Sequence, residues 1–137
     1  MTGTQSNCAI VKQAETLQRL WIALGALAGL GAVAMAAVAA HVVPESADPR
    51  VGVMLRSAIQ MQGWHALALL ACGLWAERGG RLVDWTGAAF VAGMVLFCGA
   101  IYALALGGVH LAMLAPIGGT LLMLGWALLA ISALRAR

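Results

Sequence analysis

Few side chains in this sequence have the chemistry to do work. His65 follows Gln62 by three residues on one apolar stretch, and Tyr102 stands on a later one. An imidazole, an amide and a phenol brought together could relay a proton or hydrogen-bond a small neutral solute. His41 closes the first apolar run and Pro116 interrupts the last. A metal or haem site would draw on His41 and His65, perhaps with Met61, but the two histidines differ in depth and no third strong ligand accompanies them. The three cysteines, Cys8, Cys72 and Cys98, show no Cys-x-x-Cys spacing. Helical rise offsets Cys72 and Cys98 by roughly 12 Å along their axes. A disulfide needs Cα atoms within about 7 Å, so both read as buried free thiols. All five carboxylates lie outside the apolar runs. A proton-coupled carrier would be expected to keep one inside.

The elements that must hold these residues are set by the absence of charge. From Trp85 to Leu134 fifty residues pass without Asp, Glu, Lys or Arg, and Leu20 to Val43 and Ser57 to Ala76 are charge-free too. A hydrocarbon core about 30 Å thick is crossed by about 20 residues at 1.5 Å rise. The shorter runs each fit one crossing. The long one is too long for one, and Gly107-Gly108-Val109-His110 supplies a reversal in its middle. Four spans follow, at about 20–43, 57–76, 85–106 and 111–134. The fold expected is all-α, an integral membrane four-helix bundle forming a single domain over residues 19–137. Residues 1–18 read as a polar, poorly patterned, mobile cytoplasmic tail, an extended start ahead of a functional beginning near Leu17.

Hydrophobic residues make up 63% of the chain and charged ones 9%, against about 45–50% and 25% in soluble domains. The net charge of +3 sits at span ends and reports insertion, not a nucleic-acid surface. Lys12, Arg19, Arg78, Arg81, Arg135 and Arg137 share one side; Arg50 and Arg56 fall on the other. The positive-inside rule then puts both termini in the cytoplasm, N-in and C-in, with Trp21, Trp75 and Trp85 at that interface. The first run, at 24 residues, exceeds the 7–15 typical of a cleaved signal core, so it reads as an uncleaved helix. The expected setting is a bacterial inner membrane, with the lipid bilayer as partner.

Local signals place several boundaries. Pro44 ends the first helix, and Glu45-Ser46-Ala47-Asp48-Pro49 reads as a turn, with Asp48 as N-cap and Pro49 at the first helical position of the next. Glu77 to Asp84, with Gly79-Gly80 and four charges, reads as a short solvated loop. Pro116 should leave the Ala112 carbonyl unpaired and bend the fourth helix. Gly25 and Gly29 on the first span and Gly118, Gly119 and Gly125 on the fourth give surfaces smooth enough for close helix approach.

His41, then Trp64-His65-Ala66-Leu67-Ala68-Leu69-Leu70, Phe97-Cys98-Gly99-Ala100-Ile101-Tyr102, Pro116-Ile117-Gly118-Gly119 and Gly125-Trp126 occur in that order. Together they resemble the domain of unknown function 423 family, which is also similar to the eukaryotic transmembrane protein 256. The likeness covers roughly Leu17 to Ala133. It departs after the first span, where Ala39-Ala40-His41-Val42 replaces the family's usual Gly-Ala-His-Gly. The resemblance implies a small four-span protein and brings no activity with it.

Three functional classes remain. The first is a non-enzymatic structural element or accessory subunit, packing its Gly- and Ala-rich faces against a second copy or a larger membrane complex, with no catalytic residue, cofactor or metal. The second is an oligomeric transporter or channel for a small neutral solute, its outer vestibule lined by Gln60, Gln62, His65 and Tyr102. The third is a redox or cofactor-binding subunit. A purely packing role has His65, Gln62 and Tyr102 satisfying one another and the Ala112 carbonyl, each such bond contributing about 0.6–2 kcal/mol.

Overall fold

The computed structural model describes residues 2–41 and 48–135, which are helical almost throughout. Helix α1 spans Thr2–His41, α2 Pro49–Gly107 and α3 Leu114–Arg135. α2 is two limbs, 49–79 and 81–107, folded back on each other at Gly80, the one residue inside it that leaves helical geometry (φ 55°, ψ −148°). That backbone region is open to glycine and strained for any L side chain. Four helical rods result among the described residues. The segment 77–84, expected to be a solvated loop, is helix on both sides of a one-residue break. Gly79 explains how so short a link closes, since a Cβ there would collide with Val83 and the Trp75 ring. Val83 is fully buried and Asp84 is engaged with Trp21.

The hairpin of α2 is the centre of the molecule. α1 packs antiparallel to the first limb on one side, Gly25 against Ala66 and Gly73 against Gln18 and Ile22. α3 packs antiparallel to the second limb on the other side, Gly118 against Phe97 and Gly125 against Phe90. Among the described residues α1 and α3 do not touch. The core runs through the hairpin, with Leu69, Cys72, Val83 and Phe90 fully buried, Trp21 joining from α1 and Leu122 from α3. Of the three tryptophans expected at the membrane boundary, Trp85 points outward, Trp75 is half-buried, and Trp21 lies in the core with its ring against Gly87.

The ends follow local chemistry. The Asp48 carboxylate accepts from the Arg50 backbone N–H at 2.9 Å, and Pro49 occupies the first turn, where its missing N–H costs nothing. At the other end of α2, Gly108 is left-handed (φ 63°) and its N–H reaches the Leu104 carbonyl at 3.0 Å, while the Val109 N–H reaches Ala103 O at 3.1 Å. This paired C-cap satisfies carbonyls that lipid would leave stranded. The stop read at Pro44 and the turn after it lie outside the described residues.

Two expectations change. α1 is helical from Thr2, so the polar stretch read as an unpatterned tail continues the helix. α3 begins at Leu114 rather than near Leu111, after a turn at 112–113. Pro116 therefore stands in the first turn of α3, where backbone N–H groups have no helical partner in any case. It starts the helix and does not bend it.

Glu15–His41, Arg81–Gly107 and Leu114–Arg135 are long and apolar enough to cross a membrane, with mean hydropathy of 2.2, 2.3 and 2.0. The first limb of α2 is not among them. Gln60, Gln62 and His65 dilute it.

Candidate functional site

Gln62 and His65 leave the first limb of α2 about 60° apart around its axis, by helical geometry. That rotation sends them to opposite sides of the hairpin. Gln62 faces α1, donating from Nε2 to the Ala28 carbonyl at 2.9 Å. Its Oε1 accepts from the Tyr102 hydroxyl on the second limb at 2.7 Å. The carbonyl can only accept, so the amide nitrogen must face it and the amide oxygen is left for the phenol. One side chain thus ties three rods together. Gly31 makes room for it, since a Cβ there would lie 2.7 Å from Nε2.

His65 is buried and serves the α3 side. Its Nδ1 lies 2.6 Å from the Met61 carbonyl one turn back, and its Nε2 lies 3.1 Å from the Trp126 indole Nε1. The indole N–H is donor only, so Nε2 must be the bare nitrogen and Nδ1 must carry the hydrogen. The ring is thereby defined as the neutral Nδ1–H tautomer with both nitrogens used. Phe90 packs edge-on to Trp126 at 5.3 Å between centroids and lies 5.4 Å from the imidazole. The three rings form one aromatic wedge between the hairpin and α3.

The expected cluster of Gln62, His65, Tyr102, Pro116 and His41 is therefore divided. Gln62 and Tyr102 meet directly. His65 and Pro116 line a common apolar groove of about 560 Å³ that Met61 and Trp126 also border. His65 finds Trp126 in place of Tyr102, and His41, exposed at the end of α1, joins neither group. The partner that sequence reasoning missed was in view as Gly125-Trp126; the signal was an indole donor at a depth comparable with His65. Trp21 and Asp84 form a third polar link, Nε1 to carboxylate at 3.1 Å, between α1 and the second limb.

Smaller polar groups turn onto their own helices: Thr86 onto Leu82, Thr120 onto Pro116 and Ser132 onto Leu129. Cys72 and Cys98 are buried free thiols, as their offset requires, and Cys98 donates to Ala58 O at 3.3 Å. Among the described residues, the Trp75 indole N–H is the one buried side-chain polar atom without a partner, and Arg78 lies over that ring at 5.6 Å. Among the described residues no three His, Cys, Asp or Glu side chains gather as metal ligands. His65, which a haem or metal site would have drawn on, has both ring nitrogens engaged.

The glycines separate by what they touch. A Cβ on Gly118 would strike the Phe97 backbone nitrogen and lie 2.8 Å from the Gly93 carbonyl, and one on Gly125 would meet the Phe90 ring at 2.5 Å. A Cβ on Gly25 would lie 2.9 Å from the Ala66 carbonyl. Gly29 and Gly119 have ordinary clearances of 3.8 Å. The Gly25 face, read from the sequence as a surface for close helix approach, packs against Ala66 and Leu70 of α2 inside the chain.

Residues 35–119, from the last turns of α1 to the start of α3, match the family described as protein of unknown function (DUF423). The chain belongs to this family. Relatives of the chain are called UPF0382 membrane proteins: one from Staphylococcus epidermidis is 35% identical over 85% of this chain and 97% of its own length. One from Haemophilus influenzae is 30% identical over 88% and 98%. The inner membrane protein YgdD of Escherichia coli is 31% identical over 87% and 92%. No solved structure matches the chain. The match takes in His41, Gln62, His65, Tyr102 and Pro116 and stops short of Trp126.

Proposed function

We propose that this protein is a non-catalytic four-span element of a bacterial inner membrane, both termini cytoplasmic, that serves as a structural or accessory subunit. The observation that carries the reading is the closure of its polar chemistry. Gln62, Tyr102 and His65, three side chains the bundle holds inside with the capacity to handle a proton or a solute, spend their hydrogen bonds on Ala28, Met61, Trp126 and one another. That also supports the first limb of α2 as a fourth crossing, since its polar groups turn inward where helices, not lipid, meet them. The inner membrane setting rests on the name of the Escherichia coli relative, and the orientation on the six-to-two split of Lys and Arg.

A solute pathway finds little support. Gln60 faces outward, away from the other three vestibule candidates, and the groove beside His65 is walled by Met61, Phe97, Leu122 and Met123. The test pairs two measurements on one sample. Cross-linking in native membranes should hold the protein in a species larger than the monomer, and reconstituted vesicles should show no flux of small neutral solutes beyond that of empty ones. A monomer in native membranes, together with flux abolished in His65→Ala, would refute the proposal.

A further inference from the structure

At the end of the bundle opposite Gly80 lies a groove of about 640 Å³, bounded by the start of α2, the last turns of its second limb and the entry to α3. Its floor is apolar, with Ile101 buried and Leu104 and Met54 partly exposed. Its rim is not: Arg50, His110 and Asp48 stand there, all exposed. The rim coincides with the chain reversals at Asp48 and Gly108, where the apolar rods end. An apolar trough running from a polar rim along the bundle has the shape of a lipid seat, and its size falls among ligand pockets, about 300–1,000 Å³.

We infer that this groove seats one phospholipid with an aminoethyl phosphate headgroup, phosphatidylethanolamine, and that the rim selects it. The Arg50 guanidinium and a ring N–H of His110 offer donors to the phosphate. Asp48, whose Oδ1 accepts from the Arg50 backbone N–H, offers the ammonium its second carboxylate oxygen. A glycerol headgroup carries no cation to meet that charge. One acyl chain lies along Met54, Ile101 and Leu104. Charge of both signs on one rim favours the zwitterion over a purely anionic lipid, which Asp48 would repel.

Native mass spectrometry of the detergent-solubilised full chain, stripped of lipid and titrated with dioleoyl phosphatidylethanolamine or dioleoyl phosphatidylglycerol, tests it. The ethanolamine lipid should be retained several-fold better. Asp48→Asn should erase that preference while keeping helix α2 intact, since asparagine caps as well as aspartate. Arg50→Gln should weaken both lipids about fivefold, the worth of one cation near a lipid phosphate, whereas Arg56→Gln, outside the groove, should change neither. Circular dichroism confirms that each variant is folded; if Arg50→Gln is not, the Asp48→Asn comparison decides alone. Equal retention of the two lipids by the unmodified chain, an unchanged preference in Asp48→Asn, or a lipid-free dimer in which a second copy fills the groove would each overturn the assignment.

Discussion

The two sides of the α2 hairpin hold their outer helices by different means. α3 lies backbone on backbone, with Gly118 against Phe97 and Gly93, and among the described residues adds a single side-chain bond between rods, His65 to Trp126. α1 makes a close approach at Gly25 too, but there a movable Leu70 side chain shares the contact, and polar ties stand along the interface at Trp21–Asp84 and Gln62–Ala28. In lipid the hydrophobic effect does not drive helices together, so association comes from close packing and hydrogen bonds. The α3 side leans on the first, the α1 side on the second.

Substitutions that separate these two contributions should differ accordingly. The largest effect is expected from Gly118→Leu, because the obstacle is backbone and cannot swing aside. Loss of α3 docking should cost about 3 kcal/mol or more, read as loss of the folded fraction in a steric-trapping or detergent-denaturation assay. Gly80→Ala should cost about 1–3 kcal/mol through backbone strain alone, and since both sides depend on the hairpin it should loosen α1 and α3 together. Gly25→Ala should cost about 1 kcal/mol, at the mild end of overpacking, while Gly29→Ala, with 3.8 Å of clearance, should stay within about 0.5 kcal/mol. If Gly29→Ala proved as damaging as Gly25→Ala, the packing of α1 described here would be wrong.

Hydrogen-bond deletions sharpen the contrast at smaller magnitude. Tyr102→Phe and Trp126→Phe should each cost about 0.6 kcal/mol and no more than about 1.7 kcal/mol, the average and the maximum for bonds inside a membrane bundle. The first cuts the limb-to-limb bond that Gln62 carries on to Ala28 and should raise hydrogen exchange within the α2 hairpin and along α1, the second along α3. The reverse pattern would show that the hairpin does not separate the two sides.

Much of this arrangement is legible in the chain because it depends on local rules. Asp48-Pro49 starts a helix and Gly107-Gly108 ends one whatever surrounds them, and the uncharged runs at 20–43 and 85–134 announce three rods apolar enough to cross a membrane. That Gln62 and His65 must face inward follows from the same reasoning. Their partners do not, since a rotation of one rod by a few tens of degrees exchanges Tyr102 for Trp126. Helix rotation is set by the glycine contacts on both sides at once, such as Gly93 on Gly118 and Gly87 on Trp21. The Gly80 reversal was hidden because charge between two spans reads as loop, although one left-handed residue is enough. Pro116 was misplaced for a related reason: α3 starts three residues later than its apolar run, and that shift turns a kink into a helix start.

The central claim is that Gln62, Tyr102 and His65 spend their hydrogen bonds on holding the bundle together and are not held free for chemistry. The most direct test is nitrogen NMR of the His65 imidazole, with labelled histidine, in protein reconstituted into lipid nanodiscs. The account predicts a hydrogen on Nδ1 and a bare Nε2 that accepts from the Trp126 indole, with Trp126→Phe shifting the Nε2 resonance alone. A hydrogen on Nε2, a doubly protonated ring, or a spectrum indifferent to Trp126→Phe would contradict it.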